Sequence, residues 1–222
     1  MSIPKNLKHI QSTLPDHVTL VAVSKTKPIS DIMEAYHAGQ IIFGENKIQD
    51  MVEKYEQLPK DIEWHMIGHV QRNKVKYMAS FVSLIHGVDN FKLLKEINKQ
   101  AQKYDRVIDC LLQIKIAEED SKFGMEPKEA LKLIQSEPFS SLKNIKIVGL
   151  MGMATFTEDM HQVKQEFTLL KNTFDSLKQI ETFNFKPQTI SMGMSGDYTL
   201  AIDCGSTMVR VGSSIFGERN YP

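Results

Sequence analysis

Eight short, apolar, β-branched runs separated by stretches of helical periodicity constrain this chain more than any other feature. The runs are Thr19 to Ser24, Ile41 to Gly44, Glu63 to Ile67, Phe81 to His86, Val107 to Ile116, Ile145 to Met151, Thr189 to Met192 and Met208 to Val211. Each has the length and composition of a buried strand. Between them apolar residues recur at three- and four-residue spacing, as in Val163, Phe167, Leu170, Phe174 and Leu177, the pattern of a helix with one buried stripe. Strands joined by helices pair in parallel, because a parallel neighbour requires a crossover. Eight such units in 222 residues amount to about 28 residues apiece, near the lower end for a closed barrel. The expected fold is therefore α/β: a single (β/α)8 TIM barrel domain over residues 1–222, with an extra N-terminal helix over roughly Lys5 to Leu14. No linker-like or low-complexity stretch interrupts the alternation.

The first run ends in the most chemically pointed way. Val18-Thr19-Leu20-Val21-Ala22-Val23-Ser24 stops at Lys25-Thr26-Lys27-Pro28, ahead of the helical pattern of Ile29 to His37. Lys25 is thus placed at the C-terminal end of a buried strand, the mouth where α/β folds put their chemistry. An amine partly desolvated there is harder to charge, so its pKa falls and it becomes nucleophilic toward an aldehyde. A strand-capping lysine that points into water is the plainer alternative.

If the barrel closes, the other strand ends share that mouth. Phe43-Gly44-Glu45-Asn46 ends the second strand, and Asn46 either faces the mouth or caps the next helix. His65, between Trp64 and Met66, is either a satisfied core histidine or a ligand contact. Ser191-Met192-Gly193-Met194-Ser195-Gly196-Asp197 follows the seventh strand with small and hydroxyl residues ahead of a helix start, so its N–H groups and the helix dipole suit a phosphate. The eighth strand reads Met208-Val209-Arg210-Val211-Gly212-Ser213-Ser214, an arginine inside an apolar run before a second Gly/Ser turn. Either loop alone fits an ordinary turn; together they fall where barrels hold phosphate. A buried guanidinium requires a partner, so Arg210 faces a carboxylate elsewhere in the chain or a ligand acceptor. A strand-end amine and a phosphate cradle point to pyridoxal 5′-phosphate as cofactor.

Composition narrows the partners. The 27 basic and 27 acidic residues cancel, which argues against nucleic acid, since a binder needs a basic field to displace counterions. No apolar stretch is long enough to span a bilayer, and Met1-Ser2-Ile3-Pro4-Lys5 lacks a signal-peptide core, so a cytoplasmic protein is expected. Cys110 and Cys204 lie far apart without ligand spacing, which argues against a disulfide or a metal site. The late methionines Met151, Met153, Met192, Met194 and Met208 read as soft filling of the barrel layers.

The motifs Ala22-Val23-Ser24-Lys25-Thr26-Lys27-Pro28, Phe43-Gly44-Glu45-Asn46, Trp64-His65-Met66-Ile67-Gly68, Ser121-Lys122-Phe123-Gly124, Gly149-Leu150-Met151-Gly152-Met153, Ser191-Met192-Gly193-Met194-Ser195 and Ser206-Thr207-Met208-Val209-Arg210-Val211-Gly212 together carry a resemblance over almost the whole chain. The chain resembles the pyridoxal phosphate homeostasis proteins, whose barrel is similar to the N-terminal domain of alanine racemase. The resemblance implies that Lys25 forms a Schiff base with the cofactor and that Ser191, Gly212 and Ser213 lie where its phosphate is held. It also implies that Arg210 faces the pyridine nitrogen and that Asn46 and His65 line the site. Here Gly196 precedes Asp197 where members often carry an aspartate-rich stretch, a departure of little consequence for cofactor binding. Lys122 is a second lysine on a loop, either solvated or an accessory amine for cofactor entering or leaving.

Two functions remain open at this point. One is a protein that binds and delivers pyridoxal phosphate, passing it to apo-enzymes and limiting free aldehyde; the other is a pyridoxal-phosphate-dependent amino-acid racemase. An alanine-type racemase carries a further β domain with a second base on the opposite cofactor face, whereas this chain ends soon after its eighth strand. The expectation is therefore a cytoplasmic, monomeric homeostasis protein without efficient turnover, with neither nucleic acid nor membrane as partner. A permanently cationic Arg210 weakens the cofactor's electron sink and points the same way only in part, because racemases of this fold tolerate it.

Overall fold

The computed structural model describes residues 2–118, 123–180 and 182–218. Its strands are β1 (Thr19–Val23), β2 (Ile42–Glu45), β3 (Glu63–Met66), β4 (Leu84–Val88), β5 (Ile108–Gln113), β6 (Ile145–Met151), β7 (Phe185–Met194) and β8 (Met208–Val211). They pair in parallel in chain order, and β8 returns to pair with β1 through Thr19↔Met208 and Val21↔Arg210, closing the barrel. The helices are α1 (Ile3–Thr13), α2 (Ile29–His37), α3 (Ile48–Gln57), α4 (Val75–Met78), α5 (Phe91–Lys103), α6 (Pro127–Ile134), α7 (Glu137–Ser140), α8 (Met160–Leu177), α9 (Tyr198–Asp203) and α10 (Ser213–Phe216). Local chemistry starts several of them. Asn90 accepts from Leu93 N at the head of α5, Asp159 accepts from two N–H groups of α8, and Glu126 with Glu129 forms a capping box on α6.

The strand faces sort the side chains into two cores. Inside the barrel, Val21, Leu84, Leu111, Met151 and Met208 form a small apolar layer, joined by Ile42, Ile67, Val148 and Met153. The larger core lies between strands and helices, where Phe43, Trp64, Phe167 and Phe185 are buried. Gly44 belongs to the inner face: a Cβ there would lie 2.9 Å from Val21 Cγ1 and 3.1 Å from Ile67 Cδ1, so the closed interior leaves no room for a side chain.

Some sequence boundaries move. β4 starts at Leu84 because Phe81 and Val82 turn their N–H groups back to Met78 O and finish the preceding helix. β7 extends to Phe185 and Met194, and its first half alternates exposed Lys186 and Gln188 with buried Phe185 and Pro187. β5 stops at Gln113, after which the chain doubles back and Met125 N donates to Gln113 O at 2.9 Å. The methionines also divide: Met151 and Met208 fill the barrel, Met192 packs in the outer core, and Met194 is partly exposed at the end of β7. No described helix is long and apolar enough to cross a membrane.

Candidate functional site

Lys25 stands on a tightly pinned turn just past β1. Ser24 N donates to Gly44 O (3.1 Å), and Ser24 O accepts from Lys27 N (3.0 Å), which closes the turn. Ser24 Oγ donates to Glu45 Oε1 at 2.6 Å, and the Lys54 ammonium donates to both Ser24 O (2.9 Å) and Glu45 Oε1 (2.7 Å). Thr26 has φ of 64°, a left-handed conformation that a β-branched residue rarely enters and that costs about 1–3 kcal/mol. The ammonium of Lys27 is turned away from the mouth's chemistry, because it donates to Phe216 O, Gly217 O and Glu218 O at the end of α10. Lys25 itself is half-buried.

A polar chain crosses the interior from β8 to β3. Arg210 Nη1 donates to Ser191 O (2.9 Å) and Ser191 Oγ (2.6 Å), and Nη2 donates to Gly152 O (3.2 Å). Ser191 Oγ lies 3.0 Å from His86 Nδ1, and His86 Nε2 lies 3.1 Å from His65 Nδ1. Guanidinium has no acceptor, so the serine oxygen accepts from it; at the Ser191–His86 and His86–His65 contacts the donor is set by the histidine tautomers, one hydrogen being shared across each.

Burial sets the charges along this chain. Desolvation pushes His65 down to about 3, and desolvation with the nearby His65 and Arg210 charges holds His86 well below its ordinary 6.5. Both imidazoles are neutral at neutral pH. Desolvation lowers Arg210 to about 10, with Asp197 pulling the other way, so the guanidinium stays charged. Its hydrogen bonds go to neutral oxygens of β7 and the end of β6, not to the carboxylate that the sequence allowed for.

The expected residues occupy different tiers. Ser191 lies within β7, fully buried, and not on the loop after it; its hydroxyl is committed to Arg210 and His86. The contact with the Gly212 turn comes from Ser195, whose Oγ accepts from Gly212 N at 3.1 Å. Gly212 packs against β1: a Cβ on it would come within 3.2 Å of Val23 O, two residues before Lys25. Ser213 is exposed at the first position of α10. Asn46 is half-buried after β2 and does not cap α3, whose cap residue is Lys47. His65 faces the interior, and Lys122 lies outside the described residues.

The sequence reading missed His86 and Ser195 as site residues. Ile85-His86-Gly87 repeats, one strand on, the histidine among apolar neighbours seen at Trp64-His65-Met66, and that recurrence was the available signal. The rim has its own support. Glu166, buried on α8, accepts from Thr155 N (2.6 Å), Thr155 Oγ1 (2.7 Å) and Glu118 N (3.4 Å), tying the loops after β5 and β6. Beside them the ring of Phe123 stacks on His69 at 4.2 Å.

A closed parallel barrel with an amine on the turn after strand one and an arginine on strand eight defines a class, and comparison with known proteins agrees. Residues 2–220 match the family described as alanine racemase, N-terminal domain. A pyridoxal phosphate homeostasis protein of Pasteurella multocida is 40% identical over 234 residues, covering 100% of this chain and 99% of the relative. Two structures of PipY from Synechococcus elongatus, one without and one with PLP bound, superpose with TM-scores of 0.90 and 0.88 at 33% identity, covering 97% of this chain and 100% of PipY. Alanine racemase from E. faecalis shares the fold at 16% identity and TM-score 0.74, with 57% of its length covered. The chain belongs to the family of pyridoxal phosphate homeostasis proteins.

Proposed function

We propose that the barrel mouth binds pyridoxal 5′-phosphate and that the protein holds and delivers this cofactor without efficient turnover of amino acids. The observation that carries the reading is the β1–β8 pairing. It sets Val21 beside Arg210 and Gly212 against Val23, so the amine of Lys25 and the turn before α10 share one edge of the mouth. The residues present suit the group. Arg210 is a buried permanent cation whose hydrogen bonds go to neutral oxygens, with the Asp197 charge also acting on it, and the first-turn N–H groups of Ser213 and Ser214 have no acceptor within their helix. PipY, which shares this fold at 33% identity, has been seen with PLP bound.

Pyridoxal phosphate supplies an aldehyde that condenses with amines. Lys25 would supply the amine for that chemistry. Gly212 and Ser213, with the Ser195 hydroxyl, would hold the phosphate. Arg210, itself held by Ser191 and His86, would face the pyridine nitrogen, and Asn46 and His65 would line the ring. The match over the full chain to a relative named for pyridoxal phosphate homeostasis supports a carrier over a racemase. The carrier reading extends to transfer to apo-enzymes by a cytoplasmic monomer. Borohydride reduction of cofactor-loaded protein followed by peptide mapping should place the pyridoxyl group on Lys25, and loaded protein should pass cofactor to an apo-enzyme. A label wholly on Lys27 or Lys122 would overturn the Lys25 assignment; saturable racemisation abolished by Lys25→Ala would overturn the carrier reading.

A further inference from the structure

The Glu45–Lys54 pair is costly where it stands. Both side chains are buried on the outer face of the barrel, under α3, and Glu45 Oε2 has no hydrogen-bond partner. Desolvation raises the Glu45 carboxyl even against the opposing pull of Lys54 and Ser24. A buried pair with an unsatisfied oxygen is poor stabilisation compared with apolar side chains of the same volume. What the pair touches gives it another use. Glu45 Oε1 takes the Ser24 hydroxyl, and Lys54 Nζ takes the Ser24 carbonyl, which also accepts Lys27 N across the turn. Ser24 is thereby held at its hydroxyl, its carbonyl and, through Gly44 O, its amide. The next residue is Lys25, and the one after it is the strained Thr26.

We propose that Glu45 and Lys54 are positioning residues for Lys25. From the far side of the sheet they clamp Ser24 so that the strained turn keeps the Lys25 amine at the mouth. Neither touches the mouth; both act through Ser24. The consequence for ligand binding rests on the pyridoxal phosphate reading, whereas the consequence for the turn does not.

The test separates the two. The double variant Glu45→Gln/Lys54→Met removes both charges together, so no lone buried ion remains and thermal stability should stay close to that of the parent. In cofactor-free protein, hydrogen exchange of the Lys27 amide, which closes the turn on Ser24 O, should quicken about tenfold or more. Pyridoxal phosphate titrated by visible absorbance should bind about tenfold more weakly, and the pH midpoint of its absorbance band should move. Unchanged Lys27 exchange in a folded double variant overturns the proposal. Faster exchange, with a parent protein that shows no pyridoxal phosphate binding, leaves the clamp standing and removes the ligand reading instead. If the double variant does not fold, Ser24→Ala decides, since it cuts the Glu45 link without stranding a charge: faster Lys27 exchange at an unchanged melting temperature supports the clamp, and unchanged exchange overturns it.

Discussion

The lower and upper halves of the barrel interior are built from the same strands and have opposite chemistry. Below, Val21, Leu84, Leu111, Met151 and Met208 pack a dry layer. One inward step further along three of these strands, Leu84 gives way to His86, Leu111 to Gln113 and Met208 to Arg210, while Val21 and Met151 are followed by Val23 and Met153. A spacing of two residues keeps the same face of the strand, so the change from plug to site needs no change of fold. The lower layer holds the ring together through apolar packing. The upper tier adds a directional chain of hydrogen bonds from Arg210 through Ser191 and His86 to His65.

The sharpest way to separate the halves is a matched pair of substitutions. Arg210→Leu strips donors from Ser191 O and Gly152 O, at about 1–3 kcal/mol for each buried group. Leu111→Ala in the dry layer should cost a similar amount, about 3 kcal/mol. Both should lower the melting temperature by about 10 °C, but only Arg210→Leu should also weaken pyridoxal phosphate, by about tenfold or more. Equal loss of affinity in the two variants would erase the distinction between the tiers.

Within the upper tier, the two serines should separate. Ser195→Ala, beside Gly212, should cost about 1.5–3 kcal/mol of pyridoxal phosphate binding and much less of dephosphorylated pyridoxal. Ser191→Ala acts through Arg210 and should weaken the two ligands alike. Titrations of both ligands against both variants decide; a Ser191→Ala defect confined to the phosphorylated form would return the phosphate to Ser191.

A further effect of the upper tier is one of pH. His65 and His86 are depressed in the folded protein, to about 3 and well below 6.5, so below the ordinary 6.5 the unfolded chain takes up protons that the fold refuses. The contribution of His65 is whole above 6.5 and is lost as the pH falls from 6.5 toward 3, at about 1.4 kcal/mol per pH unit, and that of His86 declines in the same direction. Urea unfolding of cofactor-free protein at pH 7, 6 and 5 should show that decline, and His86→Gln should flatten part of it. An unaltered slope in the variant would assign acid sensitivity to other groups.

Much of this was legible in the chain. Strand order and closure followed from alternating periodicities, and Lys25 from a buried run that ends abruptly. β7 was hard to bound because Lys186 and Gln188 alternate with Phe185 and Pro187 in a half that faces solvent on one side, which does not resemble a buried parallel strand. Ser191 falls inside the strand read as Thr189 to Met192 and is grouped with the loop only because the Gly/Ser motif starts there. Two of the three acceptors of Arg210 were out of reach, because main-chain carbonyls leave no trace in a sequence. The Glu45–Lys54 clamp was hidden too: Lys54 looks like any surface lysine on α3 until the helix is laid against β2.

The pairing of Val21 with Arg210 joins segments nearly the whole chain apart. Such contacts carry a large loop-closure entropy and form late unless neighbouring structure has already brought them together. The seam where Gly212 lies against Val23 is therefore expected to be the last to close. A folding intermediate with seven strands in place would have its outer core largely assembled and no competent mouth. In refolding experiments, recovery of pyridoxal phosphate binding should therefore trail recovery of helical signal, and the delay would time the closing of the ring.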